Sequence, residues 1–232
     1  MQNKTGEIIV WLGLADDDYL AARTLLRQGL VVQGSIFSAS AVEKYLKTIH
    51  LIHNKDFDTF GKKAHDVHHL YKNLEDPLYK NKPLNESYLK ALNKAYRLRY
   101  PDRLEKEFSI ALHQGKMLVG LDETVFKIRN RIKFQGTERP FKFDLMVIEN
   151  APLLMQGNHA FGTTKRDEAF SQSLVWYEMR VLKNGAWLQA YNPSTATDDS
   201  RYDLDGLRHG DSDRQFILQA PVIDSTEKEA SN

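Results

Sequence analysis

The chain contains no cysteine, which excludes disulfide bonds, thiolate catalysis and cysteine-ligated zinc or iron–sulfur sites. It also lacks an excess of charge of either sign, because 32 lysines and arginines stand against 31 aspartates and glutamates, a net charge of +1. Any basic surface for nucleic acid must therefore be a local patch, since the whole chain exerts no general attraction on an acidic partner.

Long hydrophobic runs are missing as well. No apolar run approaches the roughly 20 residues that a membrane-spanning helix needs, so no membrane association is expected. The first residues, 1–7, lack the basic-then-apolar order of a signal peptide, and a cytoplasmic location is the expectation. With 41% hydrophobic and 27% charged residues, the composition is that of a folded protein with a substantial core.

The first 135 residues have helical periodicity. Apolar residues spaced three and four apart predict a series of helices, over about residues 5–28, 31–53, 66–74, 86–98 and 116–133. Residues 103–113 are expected to continue helically. Gly29 is a plausible end for the first helix, and Asp16, Asp17 and Asp18 are expected mostly on the side away from its apolar stripe. Asp66 can cap the third helix.

The pattern changes after Gly136. Apolar residues alternate over 140–148, which predicts a half-buried strand. Asn184-Gly185 favours a β-hairpin with a two-residue turn, and the alternative is a helix over 165–182 that ends at Gly185. We therefore expect a smaller second region, residues 136–224, that is α+β or mainly β, followed by a disordered tail over 225–232.

Three short motifs follow one another on the helical half: Ala41-Val42-Glu43-Lys44-Tyr45-Leu46-Lys47, then His65-Asp66, then Arg99-Tyr100-Pro101-Asp102. In this order and at these spacings they resemble the HEPN domain of prokaryotic defence and toxin–antitoxin systems. The resemblance covers about residues 5–135 and implies an up-and-down α-helical bundle. It also implies a homodimer formed through the second and last helices, and a nucleotidyltransferase-type protein as a candidate partner.

The candidate nucleotide- or RNA-binding residues lie on or next to the first and third of these motifs and at the end of the last predicted helix, and most are basic, since arginine presents planar donors that suit phosphate oxygens. They are Lys44, Lys47, Arg99, Arg103, Arg129, Asn130 and Arg131. The dimer that the resemblance implies would place Lys44, Lys47, Arg99 and Arg129 around one cleft. The alternative is an ordinary solvated helix surface, on which Glu43 and Lys47 pair at a spacing of four.

Ribonuclease-active HEPN domains carry an arginine, often followed by asparagine, and a histidine four to six residues further on. In them the histidine transfers a proton and the arginine stabilises phosphate charge. Arg129-Asn130 resembles the start of this motif, but Phe134 stands at the histidine position and has no proton to exchange. The resemblance therefore predicts a non-catalytic nucleotide- or RNA-binding dimer.

Two other functions stay open on the sequence alone. One is a metal-independent ribonuclease that uses another acid or base, such as His65 or His113. The other is a structural dimerisation or scaffold module whose specificity lies in the second region. His65, His68 and His69 have a spacing that could ligate zinc or nickel, but no accompanying metal-site pattern occurs, and neither metal nor cofactor is expected.

Overall fold

The computed structural model describes residues 4–53, 61, 63–74, 83–132, 141–171 and 175–192. These residues form eight α-helices, two 3-10 turns and a three-stranded antiparallel sheet of order β1-β2-β3. In chain order the elements are α1 (Lys4–Arg27), α2 (Val31–Ile52), α3 (Val67–Lys72), α4 (Glu86–Arg97), a 3-10 turn (Pro101–Arg103), β1 (Ser109–His113), α5 (Gln114–Arg129), α6 (Lys142–Ile148), α7 (Pro152–Met155), a 3-10 turn (His159–Phe161), α8 (Arg166–Ser171), β2 (Trp176–Val181) and β3 (Trp187–Asn192). The expected helical bundle with a smaller α+β part is confirmed.

Helices α1 and α2 form an antiparallel pair, and Gly29 makes the sharp link between them. Gly29 has a φ of 80°, a left-handed conformation that glycine adopts without steric cost. Its N–H donates to the carbonyl of Leu26, and the N–H of Leu30 donates to the carbonyl of Leu25, which satisfies the last carbonyls of α1. Gly34 then lies so close to Leu26 that a Cβ atom would come within 3 Å of it.

Helices α3 and α4 begin at the capping residues Asp66 and Asn85. The Asp66 side chain accepts from the N–H of His69 at 2.8 Å, and the Asn85 side chain accepts from the N–H of Tyr88 at 3.1 Å. Asn93 on α4 joins the two helices, because it accepts from the N–H of Val67 and donates to Asp66. The predicted cap at Asp66 is thus confirmed, and the start of α3 is held against α4.

Residues 103–113 do not continue helically as expected. The chain makes a 3-10 turn at Pro101–Arg103 and then runs as strand β1, which pairs antiparallel with β2 from Ser109 opposite Arg180 to His113 opposite Trp176. The buried residues of β1, Ile110 and Leu112, alternate as a strand requires. Local periodicity missed this strand because its hydrogen-bonding partner lies more than sixty residues further along the chain.

The strand predicted over 140–148 is also wrong, because this segment forms helix α6. Of its apolar residues, Phe143 is buried whereas Leu145 and Ile148 are exposed. In a run of only seven residues, the pattern of apolar residues does not distinguish a strand from a helix with one apolar face. The helix satisfies its own backbone, whereas a strand would need a neighbour to pair with.

The hairpin predicted around Asn184-Gly185 is confirmed, with β2 and β3 paired from Trp176 opposite Asn192 to Val181 opposite Trp187. Its turn differs from the expected two-residue type. Leu182 and Ala186 close a three-residue loop, and only Gly185 has a positive φ, of 84°. The alternative helix is realised only over the short α8.

A fully buried ion pair joins α1, α5 and α7. Arg23 Nε lies 2.9 and 3.1 Å from the two carboxylate oxygens of Asp122, and its terminal nitrogens donate to the carbonyls of Leu153 and Gln156. Tyr19 donates to the same carboxylate at 2.8 Å. Every side of the guanidinium therefore meets an acceptor, which is the condition under which a buried charge is tolerated.

The second region packs on the same core as the bundle. Phe143, Leu154, Tyr177, Met179 and Val181 belong to one hydrophobic cluster with the buried faces of α1, α2, α4 and α5. Where one domain ends and the next begins stays a prediction. Among the described residues, no helix has the length and apolar character to cross a membrane.

We expect Asp122→Ala to lower the free energy of unfolding by about 3–5 kcal/mol, because it leaves Arg23 buried without its counter-charge. Urea denaturation followed by circular dichroism measures this. The matched control is Asp17→Ala, which removes an exposed pair with Lys142 and should cost less than about 1 kcal/mol. An equal decrease in the free energy of unfolding of the two variants would contradict the prediction that the buried pair contributes more than the exposed one.

Candidate nucleic-acid interface

The three sequence motifs meet in one place. Glu43 on α2 contacts the ring of His65, with 2.9 Å between the acceptor Glu43 Oε1 and His65 Nδ1. The His65 ring is stacked on Tyr96, with centroids 6.1 Å apart and planes within 10°. Arg99 lies over the same tyrosine, with its guanidinium carbon 5.0 Å from the ring centre. We call Glu43, His65, Tyr96 and Arg99 the motif cluster.

Lys47 is the buried ion-pair partner of Glu43, and its ammonium group does not lie on the surface. Its Nζ donates to Glu43 Oε1 at 2.7 Å and lies 5.4 Å from the centre of the Trp11 ring. The Lys47 side chain is only 6% exposed. The lysine predicted to bind a ligand is therefore the counter-ion of a largely buried carboxylate. The expected i, i+4 pair with Glu43 is present, but the solvated surface of the alternative is wrong, because both residues are buried.

Arg99, Tyr100 and Arg103 lie exposed just beyond α4, next to the half-buried Tyr96 on its last turn, and we call these four residues the arginine–tyrosine surface. Arg99 lies 5.0 Å from the Tyr96 ring centre and 5.7 Å from that of Tyr100, and Arg103 lies 5.1 Å from Tyr100. Tyr100 is 41% exposed. A guanidinium stacked on a ring keeps its in-plane N–H groups directed outward, where phosphate oxygens can reach them.

The local sequence explains why this surface projects from the bundle. Proline disfavours helix at the residue before it, so α4 ends ahead of Pro101 and the chain turns at Pro101–Arg103. The N–H of Arg103 donates to the carbonyl of Tyr100 at 3.0 Å and closes the turn. Arg97, one turn earlier, instead lies over Phe108 and pairs with Glu105. The turn thus brings Arg99 and Arg103 near the same ring, that of Tyr100.

Arg129 does not line an accessible cleft, which corrects the expectation from the motif. Its side chain is 3% exposed and forms ion pairs with Asp16 at 3.5 Å and Asp144 at 3.1 Å. The guanidinium carbon also lies 4.6 Å from the Phe143 ring centre. Helix α6 supplies both Asp144 and Phe143, so the segment expected to be a strand covers this arginine.

The other predicted binding residues lie apart from the arginine–tyrosine surface. Lys44 pairs with Asp18 and donates to Ser40 Oγ at 2.9 Å. Asn130 is the exposed C-cap of α5, and Arg131 is half-buried. Phe134, at the position where ribonuclease motifs have histidine, lies outside the described residues. Of the seven predicted residues, only Arg99 and Arg103 are exposed arginines stacked on aromatic rings.

The sequence predicts Asp16, Asp17 and Asp18 mostly on the side away from the apolar stripe, and for Asp16 this is wrong. Asp16 is 1% exposed and accepts a hydrogen bond from the Tyr45 hydroxyl at 2.5 Å. Burial raises the pKa of Asp16 from 3.8 to about 6, although Arg129 and the Tyr45 hydrogen bond act in the opposite direction. The signal for its burial was its position four residues after Leu12 and three before Tyr19, on the apolar stripe.

His65, His68 and His69, which lie around the predicted start of α3, do not converge on one point. His65 contacts Glu43, His68 Nε2 lies 3.2 Å from Glu86, and His69 contacts Asn73. Within the described ranges, no group of three or more histidines and carboxylates could hold a metal ion. The helical spacing alone would have placed these rings together, but each has a different partner.

Comparison with protein families bears on the same motifs. Residues 9–123 match the family model of the HEPN domain, and this part of the chain is a HEPN domain. The match begins within α1 and ends within α5, so Arg129 and Asn130 lie beyond it. Neither the curated proteins nor the solved structures include a match to this chain.

The raised pKa of Asp16 predicts a pH-dependent stability. Between pH 3.8 and about 6 the folded state binds the proton more tightly than the unfolded state, so the contribution of Asp16 to stability falls as pH rises through this window. The loss should approach about 3 kcal/mol. We expect the free energy of unfolding of the wild type, relative to Asp16→Asn, to decline by this order from pH 4 to pH 7. A difference that stays constant over this range would contradict the prediction.

Proposed function

We propose that the protein is a nucleotide- or RNA-binding HEPN-domain dimer of a defence or toxin–antitoxin type system. The observation that carries this proposal is the arginine–tyrosine surface, where Arg99 and Arg103 are exposed and held on tyrosine rings. Single-stranded nucleic acid is bound by this combination, because cations meet the phosphates and aromatic faces stack on the bases.

The chemistry favours single-stranded RNA or a nucleotide over duplex nucleic acid. The surface offers two cations and one well-exposed ring, Tyr100, within one turn of the chain. This is the size of one or two nucleotides, and unstacked bases are accessible only where strands are not paired. The neutral overall charge agrees with a small local contact and not with tracking along a duplex.

We propose further that Arg129-Asn130 does not serve as a cleavage motif. A guanidinium that stabilises a phosphate in reaction must reach it, and Arg129 is buried between Asp16 and Asp144. Phe134, at the position of the motif's histidine, has no exchangeable proton. Binding of RNA by Arg99 and Arg103 therefore does not imply that Arg129 cleaves the bound RNA.

The binding proposal is tested with a fluorescein-labelled single-stranded RNA of about ten nucleotides and with a labelled adenine nucleotide, by fluorescence anisotropy. We expect Arg99→Ala to weaken binding roughly tenfold, because it removes one charged hydrogen-bonding group. The slope of log affinity against log salt concentration should become shallower by the amount that corresponds to about one phosphate contact. Lys183→Ala, which removes an equally positive and 86% exposed side chain on the hairpin, is the matched control and should bind like the wild type.

Two outcomes would contradict the proposal. One is that the wild type binds neither probe, which would favour the structural dimerisation module. The other is that Arg99→Ala and Lys183→Ala weaken binding equally, which would mean that general charge and not this surface is responsible. Arg129→Ala is unsuitable here, because it would leave Asp16 buried without its cation.

The proposed dimer predicts a mass of about twice the 26.7 kDa chain in light scattering at micromolar concentration. Helix α2, one of the two helices implied in dimerisation, exposes Phe37 at 40%. We expect Phe37→Asp to shift the mass toward the monomer, because a charge on an apolar interface is costly. Leu14→Asp, on the exposed side of α1, is the control and should leave the dimer intact. A monomeric wild type would refute the dimer.

We also propose a nucleotidyltransferase-type protein as a partner, which the mass measurement does not address.

A further inference from the structure

Asp102 is an exposed carboxylate within the arginine–tyrosine surface. Its side chain is 78% exposed, and it lies between Tyr100 and Arg103 in the chain. Among the described residues its one ion-pair partner is Arg103, with 4.0 Å between Arg103 Nε and Asp102 Oδ2, which is longer than a hydrogen bond. An exposed pair of this kind contributes little to stability, so both carboxylate oxygens can accept hydrogen bonds from a ligand.

A carboxylate at this position opposes the binding of phosphate alone. Its negative charge repels the phosphates that Arg99 and Arg103 attract, and it partly neutralises Arg103. A surface that bound only phosphate would therefore bind it better without Asp102. A nucleotide brings N–H donors on its base as well as a phosphate, and contacts to the base are the ones that give specificity.

Backbone hydrogen bonds hold Tyr100 and Asp102 in one short turn. The N–H of Arg103 donates to the carbonyl of Tyr100 at 3.0 Å, and the N–H of Leu104 donates to the carbonyl of Pro101 at 3.1 Å. The ring of Pro101 fixes the backbone angle φ between the two side chains. Because residues two apart lie at most about 7 Å from each other, a base stacked on the exposed Tyr100 ring has its edge within reach of the Asp102 carboxylate.

Guanine is the base whose hydrogen-bonding groups match a carboxylate. Its Watson–Crick edge carries two adjacent donors, the N–H groups at N1 and N2, and the two oxygens of Asp102 can accept both at once. Bidentate hydrogen bonds to a charged group are the strong ones in proteins. Adenine presents an acceptor at N1, which the carboxylate repels, and cytosine and uracil each have only one donor group on this edge.

We propose that the arginine–tyrosine surface binds guanine, with the base stacked on Tyr100, its N1 and N2 groups donating to Asp102, and its phosphate contacted by Arg99. The inference rests on the proposed binding function and adds a specificity-determining residue to it. Guanine can come from a free nucleotide or from single-stranded RNA, because both present the same edge together with a phosphate.

The test compares guanine with adenine as ligands of the full chain by fluorescence anisotropy. One arm uses labelled oligouridine RNAs that carry a single central guanosine or adenosine, and the other uses labelled GMP and AMP. We expect the guanine ligand to bind about tenfold more tightly than its adenine counterpart, which is the difference that one bidentate pair provides. A preference in either arm supports the inference, and the arm that shows it identifies RNA or the free nucleotide as the source.

Asp102→Asn tests the assignment by a change of preference. Asparagine presents one acceptor and one donor, which match N6 and N1 of adenine, so we expect the ratio of guanine to adenine affinity to fall from about ten to one or less. Removal of a negative charge also raises the affinity for every phosphate ligand, but it leaves this ratio unchanged. Glu105→Gln is the matched control, because it neutralises an 81% exposed carboxylate that pairs with Arg97, and it should keep the guanine preference.

The outcomes separate this inference from the binding proposal. Equal affinity of the wild type for guanine and adenine ligands overturns the inference and leaves the binding proposal standing. A guanine preference that Asp102→Asn retains, or that Glu105→Gln loses to the same extent, also overturns it. Absence of binding to all four ligands overturns both proposals. Both substitutions change exposed side chains, and an unchanged circular dichroism spectrum confirms that each variant is folded.

Discussion

The ion pair between Arg23 and Asp122 is the interaction on which the rest of the structure depends. Both side chains are fully buried, so each would be costly to desolvate alone and the two must stay together. Because Arg23 also donates to the carbonyls of Leu153 and Gln156, the chain after α6 has to return to the bundle at this point. The same return delivers β2 to β1. A single charged contact inside the core thus helps to define the path of the second region.

The same requirement for charge pairing decides which cations are accessible. Lys47 and Arg129 neutralise carboxylates that the fold buries, and Lys44 pairs at the edge of α1. Arg99 and Arg103 instead follow the end of α4, where Pro101 stops the helix and the guanidinium groups lie over neighbouring tyrosines. Arg103 is paired with Asp102 at 4.0 Å, but both side chains of this pair are exposed. The basic motif residues therefore divide into those that hold the bundle together and those that can meet a ligand. The function that we propose depends only on the second group.

Much of the fold could be predicted because its elements are local. Apolar spacing located α1 and α2 to within a residue or two, and Asp66 was identified as a cap from its residue type. The two errors, β1 and α6, are short segments whose state depends on distant partners: β1 exists because β2 pairs with it, and α6 packs through Phe143 against Tyr19 of α1. Local pattern cannot include a partner that is sixty or more residues away, and a seven-residue run carries too little period to correct the error.

The sequence by itself determined the helical bundle and the family, because the three ordered motifs and the helical spacing are both properties of neighbouring residues. It also identified the absence of the motif's histidine at Phe134. Only the tertiary structure decided what the motif residues do. Burial made Arg129 a structural cation, and the approach of α2, α3 and α4 set Glu43, His65, Tyr96 and Arg99 side by side. Solvation and contact between distant segments are collective properties of the fold, and residue order alone does not contain them.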